Sequence, residues 1–286
     1  MKSLQRAIRL VRPVLKRAYL ELWRFQHSSS GNTHLSGAHA RKRRIPLDLD
    51  YVFLRPTESD TARVQEYVSK IYSERSYLHC SVKANSPTVL VDLGANIGLS
   101  SLSLMKEFDS VRRVYAIEAE LQNFEILKMN FQLWSEKYPE VEWVAIHAVA
   151  SHSVDEALYL NRSLHDLTDT YSASGTFRYT TLTPDMEGAT RLENVLSVSE
   201  LINSMPEDEL IIVKIDIEGG EEHLFKSSTE WLSRCSLVTV EVHDQFHPEM
   251  LNSSRLMMEA LVANNFAFVP SGGILHCYNR AQISAG

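Results

Sequence analysis

Five residues between positions 92 and 118 have the types and spacing to hold a nucleoside. The apolar run that begins at Thr88 ends in Val91-Asp92-Leu93-Gly94-Ala95-Asn96-Ile97-Gly98, and Gly94 and Gly98 bracket a tight turn into a helix. Glycine at such a turn adopts unusual dihedrals and lets the backbone approach a ligand. Glu118 closes the next apolar run, 20 residues beyond Gly98. A carboxylate at that place can accept hydrogen bonds from both hydroxyls of a ribose, so an adenosine-containing ligand is implied. A dinucleotide fingerprint would need glycine where Asn96 and Leu99 stand, and the Gly-Lys-Ser/Thr of a phosphate loop is absent. Without a ligand, the same residues would form a capped strand–turn–helix; the combination of Asp92, Gly94, Asn96, Gly98 and Glu118 favours binding.

A second set lies downstream. Lys214, Asp216 and Glu218 alternate along one apolar run, and Glu241 and His243 alternate along another. Residues two apart on a strand share one side, so each set presents its polar groups together. A purely structural reading competes for the first, namely a buried Lys214–Asp216 ion pair.

The elements that must position these groups follow from hydrophobic periodicity. Strands are expected at Leu47–Arg55, Thr88–Leu93, Arg113–Ile117, Glu142–His147, Leu210–Ile215 and Leu237–Val242. Helices are expected at Asp60–Tyr72, Ile97–Glu107, Leu121–Trp134, Ser199–Ser204, from about Gly220, and at Glu249–Asn264. Phe266–Val269 and Ile274–Tyr278 form a terminal antiparallel pair. Apolar strands alternating with amphipathic helices predict an α/β fold with a mostly parallel sheet covered on both faces. Ligands in such sheets bind beyond the carboxyl ends of the strands, where Glu118 and Asp216 stand.

Charge divides the chain. Residues 1–44 hold eleven Lys/Arg and one acid, Glu21; the rest holds 18 bases and 35 acids. The acidic part is a poor nucleic-acid binder, because phosphate neutralisation needs a basic face. Residues 1–26 read as a basic amphipathic segment interrupted by Pro13, residues 27–44 as a flexible basic linker, and residues 45–286 as one domain, with 156–198 an irregular acceptor-side insertion. Residues 1–25 allow three readings: a solvated helix packed on the domain, a segment lying on anionic lipid, or a mitochondrial presequence. No run is apolar and long enough to span a membrane. Cys80, Cys235 and Cys277 are odd in number and scattered, which points to buried thiols in a reducing, cytoplasmic setting. Asn161-Arg-Ser163 and Asn252-Ser-Ser254 match the glycosylation sequon, but without a secretory signal they are read as chance matches.

The acidic-x-Gly-x-x-x-Gly form around Asp92 resembles the first motif of class I S-adenosylmethionine methyltransferases. Val213-Lys214-Ile215-Asp216-Ile217-Glu218-Gly219-Gly220-Glu221 resembles the Lys-x-Asp-x-Glu-Gly-x-Glu motif of the FkbM-type methyltransferases. Glu118-Ala-Glu-Leu-Gln-Asn123-Phe124, with Leu127 and Asn130, is also similar to that family, although Ala119 replaces its usual proline. Leu54-Arg55-Pro56-Thr57-Glu58-Ser59-Asp60 looks like its N-terminal strand and loop. The resemblance covers roughly Leu47 to Tyr278.

The resemblance implies a Rossmann-like class I methyltransferase fold with a seven-stranded sheet and S-adenosylmethionine as cofactor. Asp92, Gly94, Asn96 and Gly98 would surround its methionine and ribose, Glu118 would hold the ribose, Asn123 belongs to the same motif, and Ala148–Ser151, with Ala150, would lie near adenine. An acidic lip suits a sulfonium and an ammonium better than a phosphate. The expected reaction is methyl transfer to a hydroxyl of a sugar, a lipid-linked glycan or a secondary metabolite. Asp216 is the foremost candidate for base, acceptor anchor or metal ligand, followed by His243 and Glu218. Asp216, His243 and Asp244 form a minority candidate set for a divalent cation. The competing readings are a non-catalytic methyltransferase-like binding protein at a membrane surface and an N-methyltransferase.

Overall fold

The computed structural model describes residues 40–45, 50–69, 86–154, 159–162, 177–180, 189–191, 194–217, 220–241, 253–271 and 273–282. Glu218, His243, Asp244 and the segment 1–39 lie outside the described residues.

A seven-stranded sheet organises the chain. Its strands are β3 (Thr88–Leu93), β4 (Val111–Glu118), β5 (Glu142–His147), β11 (Leu210–Ile215), β12 (Cys235–Glu241), β13 (Phe266–Ser271) and β14 (Ile274–Asn279). Their order is β13-β14-β12-β11-β3-β4-β5. β14 is antiparallel to both its neighbours, and every other pairing is parallel. The chain leaves β3 toward β4 on one side and returns with β11 on the other. That reversal opens a crevice at the carboxyl ends, where open α/β sheets bind ligands.

Helices cover both faces, as the alternation predicts. One layer holds α1 (Glu58–Ser69), α2 (Leu99–Glu107) and α3 (Leu121–Lys137), which bury Val64, Leu102, Ile126, Phe131 and Trp134 against Leu90, Val114 and Ile212. The other holds α4 (Val198–Asn203), α5 (Glu221–Phe225), a 3-10 turn (Glu230–Arg234) and α6 (Ser253–Ala263), packed on Val89, Val91, Val213 and Val238. β3 is buried along its whole length, which explains its continuous apolar run. Cys235 and Cys277 are buried free thiols; burial pushes the Cys277 thiol up to about 12. No helix among the described residues is long and apolar enough to cross a membrane.

The basic run Arg41–Arg44, read from its charge as linker, is strand β1, paired antiparallel with β2 (Tyr51–Leu54). Edge strands commonly carry such charge, so composition alone disguises it. Asn130 pins β2 to the sheet's glycine turn. Its Oδ1 accepts from the Phe53 amide at 2.6 Å, while its Nδ2 donates to the carbonyls of Phe53 (3.1 Å) and Ile97 (2.8 Å). Two small ladders complete the description. β6 (Val149–Ser151) pairs in parallel with β10 (Val195–Ser197), and β7 (Tyr159–Arg162) lies between β8 (Phe177–Thr180) and β9 (Ala189–Arg191).

Candidate active site

Asp92 and Lys214 are register neighbours on the adjacent strands β3 and β11, so both point to the same face. Both are buried. The Lys214 ammonium lies 3.2 Å from Asp92 Oδ1 and 3.2 Å from Asp216 Oδ2, and donates to the Gly94 carbonyl at 2.9 Å. Burial alone would lower the Lys214 pKa, but the charges of Asp216 and Asp92 outweigh it and the net shift is upward. The expected Lys214–Asp216 pair therefore exists, with Asp92 as its third member. Among these three side chains behind the glycine turn, the formal charges sum to −1.

The Asp92 carboxylate faces inward: Oδ2 also accepts from the Ser100 and Ser101 hydroxyls, each at 2.6 Å. Its service to a ligand is to hold the turn. The glycines likewise answer first to the protein. Gly94 has φ +77°, and a Cβ there would lie 1.8 Å from the Asp216 carbonyl oxygen. Gly98, at φ +90°, starts α2, and a Cβ there would meet Leu127 at 2.7 Å. Sequence reading assigned these glycines to ligand approach; close packing between neighbouring segments already requires them. Asn96 also has positive φ, 52°, which asparagine tolerates.

Glu118 ties the turn to the end of β4. Its Oε2 accepts from the Asn96 amide at 2.8 Å and its Oε1 from the Glu120 amide at 2.9 Å, with Asn123 Nδ2 at 3.5 Å. Burial raises Glu118 to about 7, against the two amides and Asn123, while the Glu120 charge adds to the rise. Each carboxylate oxygen offers two lone-pair directions; Oε1 uses both and Oε2 uses one, so one acceptor direction remains for a ribose hydroxyl. Glu120 caps α3, its Oε2 accepting from the Asn123 amide at 2.6 Å, and the Asn123 Oδ1 accepts from Arg55 Nη2 at 2.6 Å. Arg55 is buried in a two-pronged pair with Asp60, 2.6 Å at the closest approach. Arg55 is the site residue that motif reading quoted without assigning a task.

A cleft opens beside this framework, lined by Arg63, Glu66, Gly94, Asn96, Ser100 and Asp216 among others. Arg63 and Glu66 come from α1. They were missed because the periodicity of α1 draws attention to its apolar side, Val64 and Val68, both buried; the polar residues between them carried no motif. Ala150, expected near adenine, sits in β6 and is buried on the α4 side of the sheet. His147, which ends β5, is half-buried, its Nε2 at 3.0 Å from the Ala119 carbonyl and its ring stacked on Phe124. Among the described residues, no three His, Cys, Asp or Glu side chains are grouped to hold a metal.

The profile of the Methyltransferase FkbM domain matches residues 92–268. No curated protein matches the chain significantly in sequence. Similar solved structures include methyltransferase FkbM from Methylobacillus flagellatus KT, at 15% identity and TM-score 0.43, covering 77% of this chain and 55% of that one. This chain thus spans little more than half the length of that relative. Precorrin-6y C5,15-methyltransferase from Geobacter metallireducens GS-15 is 10% identical at TM-score 0.34, covering 76% and 86% of the two chains. TYW2 of M. jannaschii, solved with AdoMet, is 11% identical at TM-score 0.34, covering 86% and 85%. The domain match extends over more than half of the residues and includes the glycine turn, Glu118 and the Lys214–Asp216 strand: the chain belongs to the FkbM methyltransferase family.

Proposed function

We propose that this chain uses S-adenosylmethionine to methylate a hydroxyl oxygen on a sugar, a lipid-linked glycan or a secondary metabolite. The observation that carries the cofactor reading is the excess negative charge of Asp92, Lys214 and Asp216 behind the glycine turn. Such a field favours a ligand bearing a sulfonium and an ammonium and disfavours phosphate. Glu118, with one unused lone pair at the end of β4, fits a ribose hydroxyl. When bound, the cofactor supplies a methyl group on a good leaving group, a neutral thioether.

The protein's part is then chiefly positional. Glu118 and the turn fix the nucleoside, and the Asp216 carboxylate, held by Lys214 on one oxygen, anchors the acceptor at the cleft. His243 and Glu218 remain proposed members of the acceptor site, and Ala150 of the adenine side. A divalent cation on Asp216, His243 and Asp244 is not needed for this reading. We place the protein in the cytoplasm, with residues 1–25 as a contact for anionic membrane; cosedimentation with phosphatidylserine vesicles, lost on deleting those residues, tests the latter.

The test of the reaction is transfer of tritiated methyl from S-adenosylmethionine into an extract of cells expressing the chain. Label recovered in an alkali-stable ether is the expected result, with Asp216→Asn abolishing transfer while cofactor binding survives. Label appearing only in amines would assign N-methylation instead. Cofactor binding without transfer to any acceptor would favour a non-catalytic binding protein.

A further inference from the structure

Glu66 has no assigned task, yet it stands at the cleft. It projects from α1, lines the same space as Gly94, Asn96 and Asp216, and its side chain is 23% exposed. One carboxylate oxygen is 2.8 Å from Arg63 Nη2. The other, Oε2, is shielded from solvent and has no hydrogen-bond partner among the described residues. A buried acceptor without a donor calls for an explanation, and an incoming hydroxyl would supply that donor.

We propose that Glu66 is the catalytic base, taking the proton from the acceptor hydroxyl. This rests on the methyltransferase reading above. In the step, the acceptor O–H bond breaks and its proton passes to Glu66 Oε2. An oxygen lone pair forms the new bond to the methyl carbon, and the carbon–sulfur pair leaves with sulfur, which becomes a neutral thioether. Charge balances: a carboxylate and a sulfonium become a carboxylic acid and a thioether.

Asp216 is the less suitable base because one of its oxygens lies against the Lys214 ammonium, and a neighbouring cation weakens a carboxylate as proton acceptor. Glu66 faces a different balance. Burial raises it to about 7; Arg63 from its own helix opposes the rise, Asp216 just beyond β11 and Glu241 of β12 add to it, and Lys214 of β11 opposes it. A base poised near the working pH is the efficient choice for general catalysis.

The test uses the full chain. In 13C-glutamate-labelled protein without ligand, two carboxyl resonances, those of Glu66 and Glu118, are expected to titrate near pH 7, and only the Glu66 resonance to vanish in Glu66→Gln while the Glu118 resonance persists. Calorimetry with S-adenosylmethionine should give Glu66→Gln an affinity within about threefold of wild type. Its tritiated-methyl transfer into cell extract should fall about 100-fold or more, with Glu66→Asp restoring part of the rate. A Glu66 midpoint below 5, wild-type transfer by Glu66→Gln, or loss of cofactor binding in that variant would each overturn the assignment. Wild-type protein that binds no S-adenosylmethionine would remove the methyltransferase reading itself, and this one with it.

Discussion

The carbonyl oxygen of Asp216 occupies the space that a side chain on Gly94 would need, 1.8 Å from the position of its Cβ. The two most diagnostic stretches of the sequence, 122 residues apart at Gly94 and Asp216, are thus in direct backbone contact. The amide of Asp216 also donates to the Leu93 carbonyl at 3.1 Å, extending the β3–β11 ladder by one bond. Any change that lifts one strand end moves the other.

Gly94→Ala should therefore be strongly destabilising. It combines a left-handed backbone with an overlap against a carbonyl that the ladder holds in place. A loss of about 2–4 kcal/mol is expected from strain and overpacking together. Urea denaturation measures it, and an unchanged midpoint would contradict the contact.

Removing the central cation should be costlier than its polar surroundings suggest. Lys214→Met leaves Asp92 and Asp216 buried without their ammonium, and breaking a buried pair in this way costs about 3–5 kcal/mol. The double variant Lys214→Met/Asp92→Asn should regain part of that loss in the same denaturation experiment. No recovery would argue against direct coupling.

Cofactor affinity should depend on pH through Glu118. Ribose hydroxyls donate to the ionised carboxylate, and burial raises Glu118 to about 7 in the free protein, so affinity should fall as pH drops through 7. The stability of the free chain runs the other way. A folded pKa above the unfolded value of about 4.5 means that the folded state binds the proton more tightly, so Glu118's contribution is complete below 4.5 and is lost as pH rises to about 7. Glu118→Ala should weaken the cofactor by about 1–3 kcal/mol through lost charged hydrogen bonds. Calorimetry across pH 5.5–8.5 checks both, and equal affinity throughout would deny the ribose role.

Arg55→Lys should show that the N-terminal loop is wired to the site. A lysine cannot hold Asp60 through two donors and also reach Asn123. A stability loss of about 1–3 kcal/mol is expected, together with weaker cofactor binding relayed through Asn123 and Glu118. Weaker stability with wild-type affinity would separate Arg55 from the site.

The β3 and β11 limits were readable to the residue, because buried parallel strands are nearly pure apolar runs with sharp polar ends; those of β5, a half-exposed edge strand, matched as well. The terminal antiparallel pair expected at Phe266–Val269 and Ile274–Tyr278 is β13 and β14. Arg41–Arg44 was not, since four consecutive charges on an edge strand match the composition of a linker. Asp92 and Lys214 were each singled out, but their pairing is a property of strand order, and periodicity does not say that β11 lies beside β3. Arg55 and Glu66 depend on tertiary placement in the same way: one acts through a side-chain relay and the other from the polar side of a helix whose apolar side dominates the pattern.

The central claim is that the crevice at the end of β3 binds a positively charged nucleoside. Calorimetric titration of the full chain with S-adenosylmethionine at pH 8 tests it most directly. The account predicts saturable binding at one site, reduced by Glu118→Ala. Folded protein that takes up no ligand, or whose uptake is indifferent to Glu118, would contradict it.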